Sequence, residues 1–170
     1  MESPLHFEEV EEGQRWVSPS RTVTEADVVS FATSTGDFNP LHVDHEFASK
    51  SHYRQPVAHG LLGVAWVAGL GSYFPWMNTI AFTGMREWEF LKPLFIGDTV
   101  YVETVCQSKE LTGRRAGKIV WLRSLINQRG QIVQQGIFET LVALKTPVSR
   151  PHFEQTTRHS EPVDSAHRKV

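Results

Sequence analysis

Cysteine is nearly absent from this chain: Cys106 is the only one in 170 residues. A lone thiol excludes an intrachain disulfide framework and a cysteine-based zinc site. It fits a reducing compartment, and the expected location is cytoplasmic. Excess positive charge is also missing. The formal net charge is -2 at pH 7, so bulk electrostatics offer nothing to a phosphate backbone and no nucleic-acid partner is expected. Met1-Glu2-Ser3-Pro4-Leu5-His6 lacks the basic start and apolar run of a secretory signal. Long hydrophobic runs are scarce. Val57–Met77 comes nearest, without Asp, Glu, Lys or Arg, but glycines and Pro75 interrupt it. It reads as a buried core helix, and no membrane partner is expected. There is no glycine-rich dinucleotide fingerprint, no phosphate loop and no nucleophilic serine elbow.

What is present suits one domain. The chain is 40% hydrophobic and 21% charged, with ten Phe and five Trp to fill a core. Glu8–Glu12 is an acidic loop leading into a strand-like Arg15-Trp16-Val17. Thr24 is the expected N-cap of a helix with acidic residues in its first turn, running to Thr33–Thr35 and stopping at Gly36. A short helical piece is expected around Glu46–Lys50. Val57–Leu70 is apolar almost all round, the pattern of a buried helix, and its small residues admit a sheet close to its backbone. After Pro75 the chain turns to strands: Thr79–Phe90, Thr99–Val105, Lys118–Asn127 and Ile132–Leu144, with a hairpin at Gln128-Arg129-Gly130-Gln131. One long helix against an antiparallel sheet means α+β. Residues 1–145 form the expected domain. Residues 146–170 are polar and aperiodic, the pattern of a tail.

The chemistry concentrates in Gly36-Asp37-Phe38-Asn39-Pro40-Leu41-His42. A carboxylate and an imidazole stand five residues apart across a proline. Pro40 fixes its own φ and pushes Asn39 out of the helical region. Asp37 is therefore expected at the end of a helix or turn, with His42 on an extended segment after it. Two proton-exchanging side chains can then converge on one point, the layout of a general acid–base site. His42, Asp44, His45, Glu46, His52 and His59 match no helical pair of metal-binding histidines, so no metal is expected. Arg114, Arg115 and Lys118 sit in a glycine-bearing loop that reads first as a solvated turn.

Thr35-Gly36-Asp37-Phe38-Asn39-Pro40-Leu41-His42 with Ala48 resembles the signature of the MaoC-like, R-specific enoyl-CoA hydratases. Pro56-Val57-Ala58-His59-Gly60 and Glu89-Phe90-Leu91-Lys92-Pro93-Leu94-Phe95-Ile96-Gly97-Asp98-Thr99 follow in the same order as in that family. The resemblance covers roughly residues 10–145. It implies a hotdog fold, an antiparallel sheet wrapped around a long central helix. It implies hydration of an enoyl-CoA thioester to an (R)-3-hydroxyacyl-CoA, with Asp37 and His42 acting on one water. The backbone N–H of Gly60, at a helix N-terminus, becomes an oxyanion hole for the thioester carbonyl. Asn39 holds the turn or orients a partner, and His59 fixes the helix start from behind the reacting groups. Arg86 and Lys92 are candidates to meet the coenzyme A phosphates, as are the cations of the glycine-bearing loop. The thioester acidifies its own α-position, so no cofactor is expected. Many members carry a serine where this chain has Ala68, which puts one accessory hydrogen bond in doubt.

Two other readings stay open on the same residues. One is a hotdog thioesterase, in which a carboxylate activates water against the carbonyl; Asn-Pro-Leu-His argues against it. The other is a non-catalytic acyl-CoA-binding subunit. Strand 99–105 offers an edge that would lie exposed in one copy, so a homodimer or higher assembly is expected. Trp66, Phe74, Trp76 and Trp88 could line a short acyl pocket, or one for a branched or dicarboxylic acid.

Overall fold

A computed structural model describes residues 3–147. All of the expected tail except Thr146 and Pro147 lies outside the described residues. The elements run β1 (Arg15–Val17), β2 (Arg21–Thr22), α1 (Glu25–Thr35), α2 (Pro40–Val43), α3 (His45–Lys50), α4 (Gly60–Gly71), β3 (Thr79–Phe90), β4 (Thr99–Leu111), β5 (Ala116–Asn127) and β6 (Ile132–Ala143). The strands form one antiparallel sheet in the order β1-β4-β5-β6-β3, with β2 also on β4. Helices gathered against an antiparallel sheet make the fold α+β, as expected.

The core lies between α4 and the inner face of the sheet. Leu62, Trp66 and Val67 of α4 pack with Val100, Val102, Trp121, Leu125 and Phe138. Strand β4 buries Val100, Val102, Thr104 and Cys106, every second residue, as a strand with one covered face must. Helix α4 is not buried all round. Leu62, Gly63, Trp66, Val67 and Gly71 are buried, while Leu61, Ala65 and Ala68 on the other side are exposed. One sheet covers only one side of a helix, and sequence composition cannot report which side is left open.

The sheet edge also differs from expectation. Strand β4, which includes residues 99–105, has β5 on one side and β1 and β2 on the other. The long strand at the end of the order is β3, with exposed Ile80, Phe82, Met85 and Phe90. Two short N-terminal segments fill the place that the later strands alone would leave open beside β4. Among the described residues, no helix is long and apolar enough to cross a membrane.

Candidate active site

Helix α1 ends where the sequence says it should. Gly36 adopts φ 79°, a left-handed conformation that suits glycine, and its N–H returns to the Ala32 carbonyl. Asp37 follows at once. The expected extended segment is instead the short helix α2. Asn39 is its N-cap, accepting from the Leu41 N–H at 3.0 Å, and Pro40 occupies the first helical position. Proline needs no N–H there and its fixed φ suits a helix start. His42 therefore reaches its place from a helical turn. The Asn39 side-chain oxygen is committed to the cap, which agrees with a turn-holding role.

The segment before α4 is held from two sides. The Val57 N–H donates to the Leu41 carbonyl at 3.3 Å, and the Ala58 N–H to Leu94 at 2.8 Å. This fixes the Val57 carbonyl, which accepts a 2.6 Å hydrogen bond from His42 Nδ1. A carbonyl only accepts, so His42 carries its proton on Nδ1 and leaves the Nε2 lone pair free when neutral. His59 is 2% exposed, and its Nε2 donates to the Asp37 backbone carbonyl at 2.9 Å. The His42 and His59 rings stack at 3.8 Å, and Phe31 lies 5.1 Å from His59. His59 thus ties the Asp37 turn to the start of α4 and supports the His42 ring, the supporting place expected for it.

Asp37, His42 and His59 have side-chain donor atoms within 4.8 Å of one another. The Asp37 carboxyl is about half exposed, so one water can reach both it and His42. Of the ring nitrogens, His42 Nδ1 and His59 Nε2 already face carbonyls, which leaves one nitrogen of each ring without a hydrogen bond among the described residues. Asp44 caps α3 through the Phe47 N–H, His45 meets Glu25, and Glu46 meets Lys50.

Gly60 opens α4, and among the described residues its N–H has no acceptor. A Cβ at this position would stand 2.9 Å from Phe90 Cε1. Leu41, His42, Tyr53, Gly60, Phe90 and Lys92 line one cavity of about 390 Å³. Lys92 lines this cavity, whereas Arg86 lies on β3 paired with Glu139 and Glu87 and does not line it. None of the expected aromatic set, Trp66, Phe74, Trp76 and Trp88, lines this cavity: Trp66 lies under Arg21, Trp88 packs on Phe138, and Trp76 lines a separate cavity beside Ala68. Sequence reading missed two parts. The Val57 carbonyl carries no sequence signal, being backbone. Gln134, whose Nε2 donates to the Gly60 carbonyl at 3.0 Å, hides in a Gln-Gln pair where alternation gives no reason to choose it.

A model of the MaoC-like domain family matches residues 7–121. Protein MaoC of Klebsiella aerogenes is 35% identical over 65% of this chain, which spans only 33% of that relative's length. An (R)-specific enoyl-CoA hydratase of Rhodospirillum rubrum is 30% identical, over 77% of this chain and 87% of that one. The solved monoamine oxidase regulatory protein of Archaeoglobus superposes with a TM-score of 0.77 at 33% identity, over 83% of this chain and 95% of that one. A Mycobacterium tuberculosis protein described as a double hotdog superposes with a TM-score of 0.74 at 18% identity, over 87% of this chain and 46% of that one. That last likeness speaks for the fold, and the sheet curled on α4 is a hotdog. Motif, fold and family match agree, and the chain belongs to the MaoC-like domain family.

Proposed function

We propose that this protein adds water reversibly across the double bond of an enoyl-CoA thioester, giving an (R)-3-hydroxyacyl-CoA. One observation carries the reading. Side-chain polar atoms of Asp37 and His42 lie within 4.8 Å of each other, and His42 shares one cavity with Gly60, whose unpartnered N–H opens α4. As the water oxygen bonds to C3, the pair accepts one proton from it. A proton from the same pair goes to C2, and the π electrons of the double bond form the new C2–H bond. Water supplies both added hydrogens, so nothing is oxidised or reduced overall. Negative charge that develops on the thioester oxygen meets the Gly60 N–H and the positive end of α4.

The names of relatives support this chemistry: the Rhodospirillum rubrum hydratase and a 3-hydroxybutyryl-CoA dehydratase of Methylorubrum extorquens. Lys92, which lines the same cavity, would meet the coenzyme A moiety, and a homodimer is the proposed working unit. The test follows enoyl absorbance with crotonyl-CoA and resolves the product's stereochemistry. Asp37→Asn and His42→Ala should each lose about 100-fold or more in kcat while keeping the wild-type circular dichroism. Near-wild-type rates in either variant remove that residue from the chemistry. Release of free thiol with the double bond intact would replace hydration by thioester hydrolysis.

A further inference from the structure

Arg123 sits in the interior with almost nothing to pair with. It lies on β5 and is 6% exposed. Arginine presents five N–H donors and is almost never fully buried unless paired. Here Nη2 donates to the Gly71 carbonyl at 2.9 Å, and Nε has no partner. Among the described residues no carboxylate forms an ion pair with it. The guanidinium is held in place nonetheless. A Cβ on Gly71 would stand 2.9 Å from Cζ, so glycine at the end of α4 makes room for it. Phe138 lies on another side, 5.0 Å from Cζ to the ring centre. Burial lowers its pKa to about 10, which leaves the group protonated at neutral pH.

The same side chain lines a cavity of about 340 Å³ beside the C-terminal half of α4. Ala68, Trp76, Phe82, Trp121 and Thr140 line it too. Its size is that of a small-ligand site, and its walls are mostly apolar around one cation. A cation at the C-terminus of α4 does complement the helix dipole. That role uses one N–H and leaves Nε buried without an acceptor, which is costly. Among the described residues Nη1 also lacks an acceptor and is not enclosed as Nε is, so an anion entering the cavity would meet the guanidinium there.

We propose that this cavity binds a carboxylate carried on a short apolar body, with Arg123 as its anchor. A carboxylate matches the planar donor fork of guanidinium, and the aromatic and aliphatic walls match the chain attached to it. The carboxylate has two possible sources. It is either the far end of the acyl group of the substrate, which rests on the hydratase reading above, or a free carboxylic acid.

Calorimetry on the full chain tests the shared chemistry without turnover. Hexanoate should bind the wild-type protein about tenfold more tightly than 1-hexanol. Arg123→Gln should abolish that preference, and Ala68→Phe, which fills the cavity and keeps the arginine, should abolish binding. Equal affinities, or no binding, in the wild-type protein overturn the free-acid arm without recourse to any variant. Kinetics separate the sources. If the substrate supplies the carboxylate, an enoyl-CoA with a terminal carboxyl should show a kcat/KM about tenfold above that of its methyl-ended counterpart, and Arg123→Gln should erase the ratio. A ratio of one with hexanoate binding retained assigns the site to a free acid. A ratio of one with no hexanoate binding overturns the proposal. Failure to hydrate any enoyl-CoA counts against the hydratase reading alone, because the calorimetric result stands apart from it.

Discussion

At the scale of single residues, the site depends on backbone atoms as much as on side chains. The Val57 carbonyl decides which nitrogen of His42 carries the proton, and the Asp37 carbonyl anchors His59. Gly60 contributes an N–H and the absence of a side chain. A methyl there would press on Phe90 at 2.9 Å, and both residues line the same cavity. Gly60→Ala should therefore lower kcat/KM for crotonyl-CoA by about tenfold or more through misplaced substrate, with little change in the thermal midpoint. Adding Phe90→Leu, which gives way more easily, should restore part of the loss. Steady-state kinetics on the two single variants and the double variant would show this; an unimpaired Gly60→Ala would mean that the substrate does not approach this backbone. That Asp37 and His42 come together and that Gly60 opens a helix was legible in the sequence, because motif and helix start name residue types. The Val57 carbonyl and Gln134 were not, because one has no side-chain identity and the other depends on strand register.

At the scale of elements, local chemistry was most readable where a cap determines the outcome. Thr24 and Asp27 close α1 reciprocally: the Asp27 N–H donates to Thr24 Oγ1 at 3.2 Å, while the Thr24 N–H donates to Asp27 Oδ2 at 2.9 Å. Helix α2 was not foreseen. It has four residues, too few for any periodicity, and Asn39-Pro40 reads equally as a breaker and as a cap with proline first. The α1 cap carries a pH signature. Burial opposes ionisation of Asp27, but hydrogen bonds from Thr24 and the Arg21 guanidinium outweigh it and hold the carboxyl below its ordinary 3.8. A depressed carboxyl adds stability that is present above its unfolded value and lost as pH falls through the lower folded value. Urea unfolding of wild type and Asp27→Asn should thus differ most near neutral pH, with the gap closing below about pH 4. A gap that stays constant down to pH 2 would mean that the ionised carboxylate is not the stabilising species.

At the scale of the whole molecule, the architecture of one helix against a long antiparallel sheet followed from the sequence. The free edge did not, because strand order is set by which segments pair and not by their composition. Short β1 and β2 cover β4, and the open long edge passes to β3. That edge presents backbone groups ready to pair, together with exposed Ile80 and Met85. Two copies related by a twofold axis can join β3 to β3 antiparallel, which continues the sheet across both and satisfies each edge with the other. Charges on an edge strand oppose such pairing, so Ile80→Lys with Met85→Lys should turn a dimer into a monomer without unfolding it. Sedimentation velocity at micromolar concentration reads the change directly. A wild-type protein that sediments as a monomer would end the proposal. A dimer that survives both lysines would place the contact on another face, and the exposed Leu61–Ala65–Ala68 side of α4 would be the surface to alter next.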